Sequence, residues 1–587
     1  MTNTADQSTQ EPQFDDIRNV AEFSLRLVYP FSFTGEIDDF DHKHLSQQTI
    51  ANLLNNQLPL FLEVFGLEST QNDDNDAIVD LATLEILNTD SVEVKQQKRK
   101  AAKRQKTAIL KTKPLWQRCY PSISRDLYPH IRHLLRAEHT DLSHSYELSD
   151  EAWQLLDGGM GRFGKGLAIN LSPTAASRLG LSIDESAYIP FSFCRTMNGM
   201  QNQKPQLYLF GFGEGLLTVE LSIDSQFLKK YQTSAVLEFI HVITHINTHL
   251  SNISFLIKKD SAPLQRTQHK SNLLNIFQHL LGENPDDQGS LQAMPINHPK
   301  VLHKEPLSRL FSYAALRLNS TYLTSIGNNT EVMKQKTIDL AYSMAHRHTD
   351  HYLPTLESVN SSVYLPFKNI AHCNSIEGGA IVIDTMYFKD RTNELSIIEH
   401  NQLYIKNTIK NAYWPLVLLS YLEFIYLIKL TSSESPEVCL ISANENTINE
   451  LENLRIKLLS FRLHYRYSQA SQLAQHNEFY MRWRNAFGSD NLADELADDV
   501  LQVNNLLGYK LDKDEQVLQE QKNKHFTVLG ILATTLLTTI GVFETNFKIY
   551  SDPELKIFSW VTFTTLGVAL MLAITASYIY LKIFEKK

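Results

Sequence analysis

Two uncharged apolar runs near the C-terminus constrain this chain more than anything else in it. Residues 526–543 make a stretch of eighteen without a charge, and residues 557–581 make one of twenty-five. A helix needs about 20 apolar residues to cross the hydrocarbon core of a bilayer. The second run is long enough with some tilt. The first falls short alone and gains length from residues 545–547 or from the helix that enters it. Both read as transmembrane helices. Lys522 and Lys524 precede the first, and Lys582, Lys586 and Lys587 follow the second. Between them, residues 544–556 set Lys548 and Lys556 against Glu544, Asp552 and Glu554. Positive charge stays on the cytoplasmic side. The expectation is a multi-pass protein of a bacterial inner membrane, with both termini in the cytoplasm and the short loop outside. A third apolar run, residues 414–428, contains Pro415 and Glu423 and is only fifteen long. That length, with an acid in the middle, reads as a buried helix.

The first run carries a polar stripe. Thr527, Thr534 and Thr538 share one helical face, which Gly541 and Thr545 extend, and Thr535, Thr539 and Asn546 adjoin it. Lipid offers such groups no partners, so the stripe should face another helix or water. Two readings stay open. The stripe lines a pore, which takes several copies around an axis. Or each hydroxyl bonds the carbonyl one turn back and the face packs against helices.

Upstream, Leu496, Val500, Val503, Leu507, Leu511 and Leu518 form a coiled-coil-like seam. Gly488 reads as the stop of a preceding helix, and Ser489 or Asp490 as the cap of the next. One helix of about fifty residues, roughly 75 Å long, is expected to run straight into the first span. Residues 444–487 read as helical too, paired antiparallel with it.

A long stalk helix that enters the membrane, turns at a short outer loop and returns to a basic tail resembles the CorA family of magnesium channels. The family ends its first span with Gly-Met-Asn and Phe, followed by Met-Pro-Glu-Leu. Here Asn546 and Phe547, and then Pro553, Glu554 and Leu555, match, while Glu544 and Thr545 replace the Gly and Met. The resemblance covers residues 490–587 and extends toward residue 411. It implies a homopentamer in membrane lipid whose first span lines the pore, here through Thr527, Thr534, Thr538, Gly541 and Thr545. It also implies an outer mouth where Asn546, joined here by Glu544, meets hydrated cations. Mg²⁺ or another divalent cation is then the permeant or regulatory ion, held through its waters and not bound tightly. A ring of Glu544 carboxylates would draw cations in general.

Residues 14–410 read as a cytosolic α/β regulatory region, after a polar tail at 1–13 and before a helical stalk region at 411–525 and a two-helix membrane domain at 526–587. The expected fold class is therefore an α/β domain followed by a long helical stalk and two transmembrane helices. Strand-like stretches lie at 22–33, 187–195, 206–210, 216–223 and 379–388. Gly211, Gly213 and Gly215 sit between two of them and read as a hairpin turn, since no phosphate-loop lysine and helix follow. His241, His245 and His249 are spaced so that neighbours fall one turn apart, as a metal site could use, but the outer two are about 12 Å apart along a helix. A solvated or packed face is the commoner reading, as it is for His346, His348 and His351. The basic run Lys98, Arg99, Lys100, Lys103 and Arg104 suits the phosphates of a small nucleotide or anionic lipid, against the plainer reading of a solvated insertion.

The net charge of −10 speaks against the whole chain binding nucleic acid, and no direct DNA or RNA partner is expected. Cys119, Cys194, Cys373 and Cys439 are far apart and imply neither zinc nor a disulfide framework. No GxSxG, HExxH, P-loop or calcium-loop motif is present, so nothing supports an enzyme. The leading expectation is a CorA-like cation channel gated by its cytosolic region. The alternatives are a membrane effector of antiviral defence, switched by a nucleotide messenger as proposed for CorA-like proteins of type III CRISPR loci, and a non-conducting membrane-anchored scaffold.

Overall fold

A computed structural model describes residues 18–33, 115–136, 143–150, 153, 167–181, 187–193, 196–197, 200–201, 204–244, 253–257, 265–271, 273–281, 291–293, 310–320, 330–349, 355–367, 369–384, 404–433 and 445–549, with scattered positions between 564 and 578. The chain divides into two compact units. One comprises Met1–Ser435 with Asn453–Ala497, the other Pro436–Glu452 with Asp498–Lys587.

The first unit is built on a mixed sheet. Its strands are β1 (Arg18–Phe33), β2 (Trp116–Arg118), β3 (Ser143–Leu148), β4 (Leu167–Asn170) and β5 (Tyr188–Ser192). A small separate hairpin, β6 (Thr196–Met197) and β7 (Met200–Gln201), follows. Then come β8 (Gln206–Phe210), β9 (Glu214–Ile223), β10 (Ile253–Ile257), β11 (Gln265–Ser271), β12 (Leu291–Ala293) and β13 (Phe311–Ser320). The last are β14 (Val363–Phe367), β15 (Ile370–Asn374) and β16 (Gly378–Asp384). The main path runs β11-β10-β4-β5-β9-β1-β13-β16-β15-β14, with β2, β3 and β8 branching from β9 and β12 pairing the end of β1. Pairing is antiparallel throughout the main path except β13 with β16.

The described helices are α1 (Pro129–Arg136), α2 (Pro173–Arg178), α3 (Ser225–Thr244), α4 (Leu273–Leu281), α5 (Thr330–Ala345) and α6 (Leu356–Ser362). A π-helix (Tyr404–Tyr413) leads directly into α7 (Trp414–Ser433), which is followed by α8 (Glu445–His464), α9 (Ala474–Phe487) and α10 (Ser489–Ile549).

β1 shows why the sheet has two unlike faces. Phe23, Leu25, Leu27, Tyr29 and Phe31 alternate with Glu22, Ser24, Arg26 and Val28, and a period of two sends the sets to opposite sides. The apolar set joins Val219, Leu221, Leu316 and Val382 in the main core, beneath α3 and α5. Phe239 of α3 meets Phe23 edge-on at 6.1 Å. A bulge between Val20 and Glu22 lets Val20 rejoin that core while Glu22 stays on the far side.

The other face lies under the π-helix, α7 and α9, through an aromatic layer. Phe311 stacks on Tyr421 at 4.3 Å and meets Trp483 at 5.6 Å. Gly379, opposite Tyr313, is what admits Trp483, because a Cβ there would lie 2.5 Å from the indole ring. Gly379→Ala is therefore expected to lower stability by about 1–3 kcal/mol through overpacking. Urea unfolding of the variant checks this, and an unchanged midpoint would mean the indole shifts without cost.

The expected hairpin turn is present: β8 and β9 are joined with Gly213 at φ 87°. Phe212 at its tip packs 4.4 Å from Tyr426 and 4.7 Å from Tyr465. Residues 444–487, expected as one helical segment, form two helices. The break is held by Asn477, whose Oδ1 accepts from the Ala470 and Ser471 amides at 2.8 Å.

Among the described residues, Thr408–Thr431 is long and apolar enough to cross a membrane, and 83% of that window is buried inside the protein. Ser420 and Glu423 lie inside the fold with the rest of this helix. It is a core helix by packing.

Gly488, at φ 65°, closes α9, and α10 begins at the next residue. α10 is 61 residues long, about 90 Å. It runs through Gly508, Gly530 and Gly541 without a break. It includes Glu544, Thr545 and Asn546, so the helix extends past the apolar run as the run's short length required, and it takes in the start of the stretch expected as a loop. In the seam, Leu496, Val500 and Val503 are buried and Leu518 is exposed. The side chains of Leu507 and Leu511 lie outside the described residues.

Candidate functional site

The side of the sheet away from the main core is polar to an unusual degree for a covered face. Three neighbouring strands bring Glu220 (β9), Arg26 (β1) and Tyr313 (β13) into one row, because Arg26 is the direct register partner of both others. Two rows further along this face Glu22 stands opposite Arg317, with the guanidinium Nε 3.3 Å from the carboxylate. Burial raises the Glu22 pKa, Arg317 opposes that, and nearby Glu220 adds to it. Arg26 lies 3.8 Å from Glu220, and its guanidinium sits over the Trp414 ring at 5.1 Å.

Along the same face, His372 of β15 is fully buried, 5.0 Å from Tyr413 and 5.2 Å from Phe479. Its two ring nitrogens have no hydrogen-bond partner among the described residues, and burial lowers its pKa to about 3. The imidazole is therefore neutral near pH 7.

The π-helix contributes Tyr404 and Tyr413 to this region, with ring centroids 6.1 Å apart. Its backbone bonds span five residues, giving about 4.4 residues per turn. Nine residues are then about two turns, and both rings fall on one side. The hydroxyls of Tyr404, Tyr413 and Tyr313 act on one another, and burial pushes all three pKa values up.

A second cluster lies where α10 begins. Glu423 of α7 has a fully buried side chain. It takes Arg484 of α9 at 3.2 Å and Arg466 of the α8–α9 connection at 3.3 Å. Both arginines also hold Asp490 in the first turn of α10. Two carboxylates and two guanidinium groups thus tie the first turn of α10 to α7 and α9.

The sequence-derived candidates fare unevenly. Lys98, Arg99, Lys100, Lys103 and Arg104 lie outside the described residues, as do His245, His249 and most of residues 550–587. His241 is described. Its Nδ1 lies 3.0 Å from the Arg347 carbonyl, which brings it near His348. His346 and His348 have ring centroids 5.7 Å apart, and burial sets their pKa values below the usual histidine range against the opposing pull of Glu377. Among the described residues no group of three or more His, Cys, Asp or Glu could hold a metal ion. Cys119 and Cys373 are free thiols that burial pushes up to about 12, so neither is a nucleophile at neutral pH.

In α10 the threonine hydroxyls bond back along the helix. Thr527 donates to Asn523 O at 2.7 Å, Thr534 to Gly530 O at 2.7 Å and Thr538 to Thr534 O at 2.8 Å. Their donors are satisfied without a neighbour, as the packing reading requires. Gly541 is exposed. Around them Phe526, Leu529, Leu532, Leu536 and Leu537 are exposed as well, Phe526 at 71%.

Sequence reasoning missed both the polar sheet face and the charge cluster. The alternation in β1 could have signalled the first, since Glu22 and Arg26 interrupt an otherwise apolar strand at a period of two. Nothing local signals that Glu423 meets Arg484. A search of family models, curated proteins and solved structures returns no match to this chain.

Proposed function

We propose that this chain is a CorA-like oligomeric membrane channel for divalent cations, multi-pass in the cytoplasmic membrane, with the sheet-bearing unit as its cytosolic regulator. One observation carries the reading. α10 runs unbroken from a charge-locked first turn at Asp490 into a segment whose large apolar side chains, Phe526, Leu529, Leu532, Leu536 and Leu537, are exposed. A helix that presents so much apolar surface belongs in a membrane or against a partner, and among the described residues these side chains are left uncovered. The Asn546–Phe547 and Pro553–Glu554–Leu555 matches supply the family, and with it a homopentamer and an outer mouth at Glu544 and Asn546. Gating is then a population shift in which the regulator favours one arrangement of α10 over another.

Ion flux from liposomes tests it. Reconstituted chain is expected to pass Mg²⁺ or another divalent cation, and Thr538→Leu to cut that flux several-fold. The intrahelical threonine bonds favour a second reading, a non-conducting anchored scaffold, in which the same substitution changes nothing measurable. The row of Arg26, Glu220 and Tyr313 favours a third, the messenger-switched effector, because it offers a cation to an anionic ligand. Growth arrest of the host only when such a messenger is present would select it. Absence of flux with every divalent cation tried would remove the channel.

A further inference from the structure

The polar side of the sheet holds hydrogen-bond donors that no group among the described residues satisfies. Arg26 is 7% exposed, and its Nε and Nη1 have no acceptor among the described residues. The hydroxyl of Tyr313, its partner across the β1–β13 ladder, has none either. Nor has the indole Nε1 of Trp483, whose fully buried ring lies 6.3 Å from that of Tyr313. Guanidinium and indole nitrogens only donate, so Arg26 and Trp483 cannot satisfy one another. Native interiors leave few such groups unpaired, and a charged one is the costliest to leave dry. The carboxylate of Glu220, at 3.8 Å, lies beyond hydrogen-bond distance from Arg26. The Trp414 ring fixes one flat side of the guanidinium and leaves its N–H edges presented.

We infer that this region is a binding site for a small organic anion, a single carboxylate or phosphate group of which accepts hydrogen bonds from Arg26 and Tyr313. The chemistry is that of a charge-assisted acceptor meeting a guanidinium held in place before the ligand arrives. Trp483 supplies a further donor beside it. Tyr404 and Tyr413 flank the same region from the π-helix, and their hydroxyls can read the uncharged remainder of the ligand. The site does not depend on the channel reading: anion binding and ion flux are separate measurements, and either can fail alone.

The test is isothermal titration and thermal unfolding of the full chain in detergent micelles, with succinate, inorganic phosphate and AMP as probes. Small molecules released on denaturing the purified chain are analysed by mass spectrometry alongside. Succinate against the two phosphates distinguishes a carboxylate site from a phosphate site, and AMP against inorganic phosphate reads the contribution of the organic portion. At least one probe, or a released anion added back, is expected to bind and raise the unfolding temperature. Its affinity should fall about tenfold or more in Arg26→Gln and in Tyr313→Phe. Tyr313→Phe keeps the ring and removes only the hydroxyl, so it stays informative if Arg26→Gln does not fold. Without ligand, Tyr313→Phe should be at least as stable as the parent, because it deletes an unsatisfied group. Three results would overturn the proposal: no binding by any probe together with no released anion, binding that survives both substitutions, or a ligand-free Tyr313→Phe protein less stable than the parent.

Discussion

Glu423→Ala is expected to cost the full chain about 3–5 kcal/mol of stability, because removing one member of a buried ion pair strands the other. Here two members are stranded. Arg484 and Arg466 approach the same carboxylate at 3.2 and 3.3 Å, and the side chain of Arg484 is only 5% exposed. Without Glu423, Asp490 alone must balance both, and its own side chain is partly in solvent. Replacing Glu423, Arg484 and Arg466 together with Leu and Met should recover much of the loss, since an apolar set of similar volume avoids desolvating charge. The comparison separates the cost of stranding from the worth of the cluster. Urea midpoints of the single and triple variants measure it, and a single variant within about 1 kcal/mol of the parent would show that the guanidinium groups find other acceptors.

Acid is expected to unfold the sheet-bearing unit by a specific route. The His372 pKa falls from 6.5 to about 3 on folding, because burial excludes the charged form. Between those values the unfolded chain holds a proton that the native chain does not. Stability is therefore complete above about pH 6.5 and declines as pH falls toward 3, by about 1.4 kcal/mol per unit from this residue alone. Over the whole window that approaches about 5 kcal/mol. His346, His348 and His476 are shifted in the same direction by burial and add to the slope. His372→Phe keeps an aromatic ring against Tyr413 and Phe479 and should reduce the pH slope by about one proton. Equal slopes in parent and variant between pH 4 and 6 would rule His372 out as the cause.

What could be read from the sequence, and what could not, divides by distance along the chain. Residues 22–33, 206–210 and 216–223 announce strands by composition, and they are β1, β8 and most of β9. The glycines between the last two announce their hairpin. Gly488 and the uncharged run after Lys524 announce a stop and a long helix, since caps and periodicity are local signals. Register is not local. Arg26 meets Glu220 across 194 positions and Tyr313 across 287, and only hydrogen-bond pairing fixes which residues share a row. The bulge at Val20–Glu22 decides that Val20 returns to the core side, and no residue type there demands it. The contact of His241 is of the same kind: its spacing to His245 and His249 is local, while the Arg347 carbonyl lies 106 positions away.

The winding of residues 404–413 has a consequence for how this stretch tolerates insertions and deletions. At about 100° per residue, an ordinary α-helix would leave Tyr404 and Tyr413 on opposed sides of the rod. The wider coil keeps them in phase across nine steps. Losing one residue and rewinding would swing Tyr404 off by roughly a quarter turn, whereas losing two would bring it back, since seven steps of an α-helix also close near two turns. Chains of this kind should therefore vary in length here by two residues far more readily than by one.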